Sequence, residues 1–329
     1  MKRAVALALA FGLVAAACGG GATPATLTVE LDWVPNPDHV GLYYAQDKGF
    51  FSEVGLALNF RSPSNAADPI KLVGLNQVDL AISYEPEMFF GQQEQLPVVA
   101  VATLVPVPLN SLIVSPSSGI TTLEGLSGKK IGVTGIPSDD AFFRTTLKTA
   151  GLAASDVTEV NVGSALLTSL LSNKVDGILG GFRNVEAIQI AQELGTKPTV
   201  FPAEALGVPT YAELVVVANS DRLASDRAYA DSVKRFVAAL IRGTNAAIAD
   251  PTGATAVMKT ETQYDPTFLD ESVPITLGLL APTSGSKTGC IDTAAWQSYG
   301  DWMRSSGLIT STPDAAAIST TDYLPYRCS

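Results

Sequence analysis

From Leu27 onward, short apolar runs alternate with stretches of helical spacing, and this alternation constrains the fold more than any other feature of the chain. Leu27–Leu31, Leu56–Arg61, Asp79–Ser83, Val98–Leu104 and Ser111–Ser115 read as strands. His39–Phe51, ended at Gly49, and Pro69–Asn76 read as helices between them. A second unit repeats the pattern. Its strands are Ile131–Thr134, Val157–Val162 and Gly177–Leu179; its helices are Asp140–Ala150, Ser164–Asn173 and Glu186–Leu194. The Val-rich run Tyr211–Asn219 is strand-like, and helices follow at Ser225–Ala249, Thr252–Gln263 and Thr293–Ser306. Such βαβ alternation predicts parallel sheets covered by helices. Connecting strands near Ser111 and Glu213 predict a discontinuous α/β architecture: one lobe from residues 26–110 plus 215–329, the other from 111–214. A cleft between two lobes is where a ligand binds, with helix N-termini supplying unpaired N–H groups.

The N-terminus reads as a targeting segment. Met1-Lys2-Arg3 is basic, and the apolar run Ala4–Ala17 is shorter than the roughly 20 residues a spanning helix needs. It ends in Ala15-Ala16-Ala17-Cys18, small residues before a cysteine. Residues 1–18 are therefore expected to be a signal peptide with a lipobox, Cys18 the lipidated residue and 19–25 a tether. This predicts an extracytoplasmic protein anchored to the cell membrane. A plain cleaved signal with an incidental cysteine is the alternative. Outside the cytoplasm, the remaining pair Cys290 and Cys328 is expected to form a disulfide tying the C-terminal tail to the preceding loop. Two cysteines and the lone His39 give no zinc-site spacing and argue against a Ser-His-Asp hydrolase. A formal net charge of −11 argues against nucleic acid as a partner.

The segment from Leu31 to Phe51 contains Trp33-x-Pro-Asn36-x-x-His39 followed by Gly41-Leu42-Tyr43. It resembles the opening of the thiamine-pyrimidine binding branch of the NMT1/THI5-like family. Further matches follow in order: Val78–Pro86, Leu96–Leu104 with Pro108–Leu112, Gly128–Pro137, Lys174–Glu186 and Tyr323–Pro325. The resemblance covers nearly all of the mature chain. It implies a type II periplasmic-binding-protein fold, with two α/β lobes joined by a two-strand hinge and the ligand cleft between them. It also implies a monomer without a cofactor, which captures a small molecule for an ABC permease and its ATPase and does no chemistry on it.

Several residues are candidates for holding the ligand. Trp33, just beyond the first strand, offers a flat face to a heteroaromatic ring, or caps the sheet as a core residue. Asn36 and His39 carry donors and acceptors in the following loop. Either is equally a turn or helix-start residue, and the resemblance alone favours a ligand role. Tyr84 follows a strand ending at the cleft and can stack and donate; Glu87 reads instead as a helix-start residue. Asn110 lies at the lobe crossover, as a ligand contact or a hinge residue. In Gly135–Asp140, Ser138 and Asp139 read first as helix N-caps.

The stretch Gly180-Gly181-Phe182-Arg183-Asn184-Val185-Glu186 is the most telling loop. Its glycines permit close backbone approach, and Phe182 gives an apolar face. The resemblance aligns Glu186, beside Asn184, with the acid that faces the amino group of a pyrimidine. Taken alone, Glu186 is a first-turn helix residue. Arg183 departs from the family, which tends to carry an aromatic residue there; its fork suits a carboxylate, sulfonate or phosphate. Riboflavin or a sulfonate- or nitrate-like anion is therefore an alternative ligand. A more remote alternative is the fungal pyrimidine synthase of the same superfamily. That branch carries a lysine and a histidine where this chain has Ser83 and Glu87, and a cysteine-rich segment that is absent here.

Overall fold

The computed structural model describes residues 24–65, 68–282 and 285–328. The signal segment, Cys18 and most of the expected tether lie outside the described residues. Among the described residues ten strands form two five-stranded sheets. The first contains β1 (Ala25–Glu30), β2 (Leu56–Arg61), β3 (Leu80–Ser83), β4 (Val98–Val105) and β10 (Leu214–Asn219), in the order β2-β1-β3-β10-β4. The second contains β5 (Asn110–Val114), β6 (Lys130–Val133), β7 (Thr158–Asn161), β8 (Gly177–Phe182) and β9 (Thr199–Pro202), in the order β7-β6-β8-β5-β9. The first strand begins at Ala25, which pairs with Leu56, one residue inside the expected tether.

The sheets are mixed, not parallel throughout. Strand β1 runs parallel to β2 and β3, and β6 parallel to β7 and β8, as βαβ units require. The two strands that carry the chain from one sheet to the other run antiparallel to their neighbours: β5 to β8 and β9, and β10 to β3 and β4. The reason is directional. Strands of βαβ units end at the cleft, whereas a strand that enters a sheet from the cleft runs away from it. Two chain crossings, between β4 and β5 and between β9 and β10, thus connect two α/β lobes. This is a type II periplasmic-binding-protein fold.

Burial explains the sheet positions. All residues of β4 and β10 are buried, which suits their Val- and Ala-rich sequences to the middle and covered edge of a sheet. The Val40–Asp47 helix packs on the long Arg227–Ala249 helix, where a Cβ on Gly41 would fall 2.3 Å from Thr244 Oγ1. A glycine there lets the two helices approach closely. The lobes also share apolar cores. Phe182, Val185 and Ile188 of the second lobe pack into the core of the first. In a second shared cluster Phe142 meets Tyr211 edge-on and Trp302 at a tilt, with centroid distances of 5.7 and 6.3 Å. Cys290 and Cys328 are bonded, with Cα atoms 5.8 Å apart. Among the described residues no helix is long and apolar enough to cross a membrane.

Candidate functional site

Between the lobes lies a cavity of about 460 Å³. Its walls come from the carboxyl ends of strands in both sheets, the general position of ligand sites in open α/β sheets. From the first lobe come Asp32, Trp33 and Val34 after β1, Pro63–Asn65 after β2, and Tyr84 after β3. From the second come Thr134 and Ile136 after β6, Gly163 and Ser164 after β7, Leu166, Gly180 and Phe182 on β8, and Glu186 at the start of the Glu186–Leu194 helix.

Two aromatic residues meet across the lobes: the Trp33 and Phe182 rings lie edge-on at 6.3 Å. Such a pair leaves ring faces for an inserted planar group. The first-lobe wall is tied together by Asp32, which is fully buried. One of its oxygens lies 2.7 Å from His39 Nε2, and the other accepts the Tyr84 hydroxyl at 3.0 Å. Burial pushes the Tyr84 hydroxyl pKa well up, so it stays a donor.

On the second-lobe wall Glu186 is 4% exposed and accepts the Phe182 N–H at 2.8 Å. Burial pushes its carboxyl up to about 7. Gly180 has φ +97°, and a Cβ there would meet Thr134 Cγ2 at 3.2 Å and Asp139 Oδ1 at 3.4 Å. That conformation and that crowding both call for glycine. Its N–H donates to Asn110 Oδ1 at 3.1 Å, so the Asn110 side chain shapes the glycine turn.

Trp33, Tyr84, Phe182 and Glu186 therefore come together on one cavity, and five other candidates take other positions. Asn36 caps the Pro37–His39 turn: its Oδ1 accepts the Asp38 N–H at 2.8 Å and its amide donates to Val34 O. His39 is fully buried between Asp32 and the Asn36 N–H. Asn110 stands behind Gly180. Asn184 is a strut between lobes, donating to Asp38 Oδ1 at 2.6 Å and Thr276 Oγ1 at 2.8 Å. Arg183 lies off the cavity; its N–H donates to Leu109 O, and its Nε is buried without a hydrogen-bond partner. Among the described lining residues there is no Lys or Arg.

The helix after Gly135 also starts differently from expectation. Its N-cap is Ile136, with no side-chain cap, because Asp139 turns back to accept the Thr134 N–H and hydroxyl. Sequence reasoning missed Asp32, Ser64, Asn65, Thr134 and Ser164 on the cavity wall. The rule that ligands meet strand carboxyl ends would have found all five, since each lies just beyond a strand.

The family model for NMT1/THI5-like proteins matches residues 36–254. A protein of Haemophilus influenzae named for thiamine biosynthesis is 35% identical over 297 residues, covering 89% of this chain and 90% of that one. The formylaminopyrimidine-binding protein of Halalkalibacterium halodurans is 30% identical over 284 residues, 84% of each chain. A Saccharomyces cerevisiae 4-amino-5-hydroxymethyl-2-methylpyrimidine phosphate synthase is 27% identical over 237 residues, 69% of this chain and 68% of that one. Among solved structures, the alkanesulfonate-binding protein SsuA of Xanthomonas axonopodis pv. citri superposes with a TM-score of 0.68 at 15% identity, covering 92% of this chain and 99% of that one. Family model and relatives agree with the architecture, and this chain belongs to the NMT1/THI5-like family.

Proposed function

We propose that the protein captures a thiamine-precursor pyrimidine outside the cytoplasm and delivers it to an ABC permease. The observation that carries this reading is the make-up of the cavity. Trp33, Tyr84 and Phe182 offer ring faces, Glu186 offers a carboxyl group, the Asp32 carboxyl stands in the opposite wall bonded to His39 and Tyr84, and the described lining holds no cation. A flat heterocycle with N–H donors suits that set: its rings stack, and its exocyclic amine donates to a carboxylate. Lobe closure about the two crossings would bury it and present a closed face to the permease. Residues 26–110 with 215–329 and residues 111–214 serve as the two moving lobes. The lipid on Cys18 would hold the monomer at the membrane. We read the chain as non-catalytic. It has Ser83 and Glu87 where the synthase branch carries its lysine and histidine, and His39 is enclosed between Asp32 and Asn36.

The anionic alternative rested on Arg183, which lies off the cavity, so a sulfonate or nitrate would meet two carboxyl groups and no counter-charge. Thermal unfolding against a panel tests the assignment: hydroxymethylpyrimidine, formylaminopyrimidine, riboflavin, taurine, an alkanesulfonate and nitrate. The expected result is a saturable rise in Tm with a pyrimidine, cut at least about tenfold in apparent affinity by Glu186→Gln. A rise with the anions alone would overturn it.

A further inference from the structure

A second cavity of about 470 Å³ lies beside the lobe crossings, away from the cleft. Pro106, from the first crossing, and Thr210–Ala212, from the second, form part of its wall, and the Cys290–Cys328 disulfide closes another part. Beside several neutral hydroxyls, its charged lining is acidic. Glu85, at the start of the Glu85–Gln93 helix, is 1% exposed. One of its oxygens accepts the Ala212 N–H at 2.6 Å; the other is buried with no hydrogen-bond partner. Asp292 lines the same space from the N-cap of the Thr293–Ser305 helix, where one oxygen accepts two backbone N–H groups. Trp296 contributes an aromatic wall. The described lining contains no Lys or Arg, and nearby Lys287 is bound to Arg327 O at 2.9 Å.

An unpartnered carboxyl oxygen in a buried wall costs free energy unless something donates to it. We propose that this hinge-side cavity is a second binding site, for a small organic ammonium ion whose N–H groups donate to Glu85 while Asp292 supplies charge and Trp296 a ring face. An ammonium ion satisfies all three features, since it carries donors only, a positive charge and apolar carbon. The groups that face Glu85 agree with this chemistry. Burial first, and then the Asp292 charge, hold its carboxyl pKa well up, and Tyr299 adds a neutral hydroxyl nearby. A bound cation would let the carboxyl ionise, so binding is expected to release a proton.

Isothermal titration of the whole mature protein with ethylammonium and putrescine chlorides tests the site. Propanol and sodium chloride are controls, and two buffers of different ionisation enthalpy report proton release. The expected result is saturable binding of an ammonium probe with proton release, weakened at least about tenfold by Glu85→Gln, less by Asp292→Asn, and unchanged by Glu186→Gln. Asp292→Asn keeps an N-capping side chain on an exposed position, so it carries the test if Glu85→Gln fails to fold. Heat no greater than that of sodium chloride, or equal binding by the carboxyl variants, would overturn the proposal. So would loss of binding in Glu186→Gln, which would put the amine in the interlobe cleft. Pyrimidine binding by Asp292→Asn is measured in parallel, so that failure of this site and failure of the cleft assignment are told apart.

Discussion

The two walls of the interlobe cavity present a carboxyl group each, but they hold it differently. Asp32, on the first lobe, is tied by side chains: His39 Nε2 at 2.7 Å on one oxygen and the Tyr84 hydroxyl at 3.0 Å on the other. Glu186, on the second, accepts the backbone N–H of Phe182 within its own turn. The first wall is thus a network in which two side chains depend on Asp32, while the second is a local turn built on backbone. A network fixes geometry before a ligand arrives, and it fails as a unit. A local turn tolerates change in its side chain, which makes it the better place to adjust recognition.

Truncation should expose that difference most strongly. Asp32→Ala takes the partner from both the buried His39 and the Tyr84 hydroxyl, two bonds lost at once, a loss on the order of 3 kcal/mol. Glu186→Ala leaves one N–H beside a cavity that water can enter, a loss of about 1–2 kcal/mol. Urea unfolding of the ligand-free protein measures both. Equal losses would mean that the Asp32 network is no more cooperative than the Glu186 turn.

Titration sharpens the comparison. The Glu186 carboxyl goes from an ordinary 4.5 to about 7 on burial. Between those values the folded protein keeps a proton that the unfolded chain has lost. The stability tied to that proton is complete below about pH 4.5 and declines as pH rises to 7. Between about pH 5 and pH 8 this group should remove about 2 kcal/mol. Glu87 and Glu213, also raised to about 7 by burial, slope in the same direction. The diagnostic quantity is therefore the difference between the wild-type and Glu186→Gln profiles in urea unfolding at several pH values. Parallel profiles would remove the titration from Glu186.

The sequence made the frame of this molecule readable because its strands are short apolar runs between polar punctuation. Leu56–Arg61 and Glu186–Leu194 fall at the expected residues. The elements that escaped lack that signal. Thr199–Pro202 is a half-buried edge strand of four residues ending in proline. The Glu85–Gln93 helix opens on Glu-Pro-Glu, so that only its start near Glu87 was readable, and the Pro266–Leu280 helix contains Pro274. The antiparallel direction of β5 and β10 depends on where the chain crosses the cleft, which no local pattern records. At the site, Trp33, Tyr84, Phe182 and Glu186 reach the cavity wall; for Glu186 the resemblance pointed there, since its type alone reads as a first-turn helix residue. Asn36 and His39 read equally as turn or helix-start residues, and the structure gives them local partners; Asn184 has partners in the other lobe, since a residue's type does not give the direction of its side chain. Buried polar groups are drawn to the nearest unsatisfied partner, and for these three that partner is the protein itself.

The smallest expected effect tests whether Tyr84 serves the network or the ligand. Tyr84→Phe removes the hydroxyl that donates to Asp32 and keeps the ring on the cavity wall. Asp32 retains His39, so the loss in urea unfolding should be about 1 kcal/mol, well below that of Asp32→Ala. If the ring face is what meets the pyrimidine, affinity should fall by less than about tenfold, while Tyr84→Ala, which removes the face, should cost more. An affinity loss in Tyr84→Phe as large as in Tyr84→Ala would assign recognition to the hydroxyl. It would also make the first wall a direct polar contact as well as a scaffold for stacking.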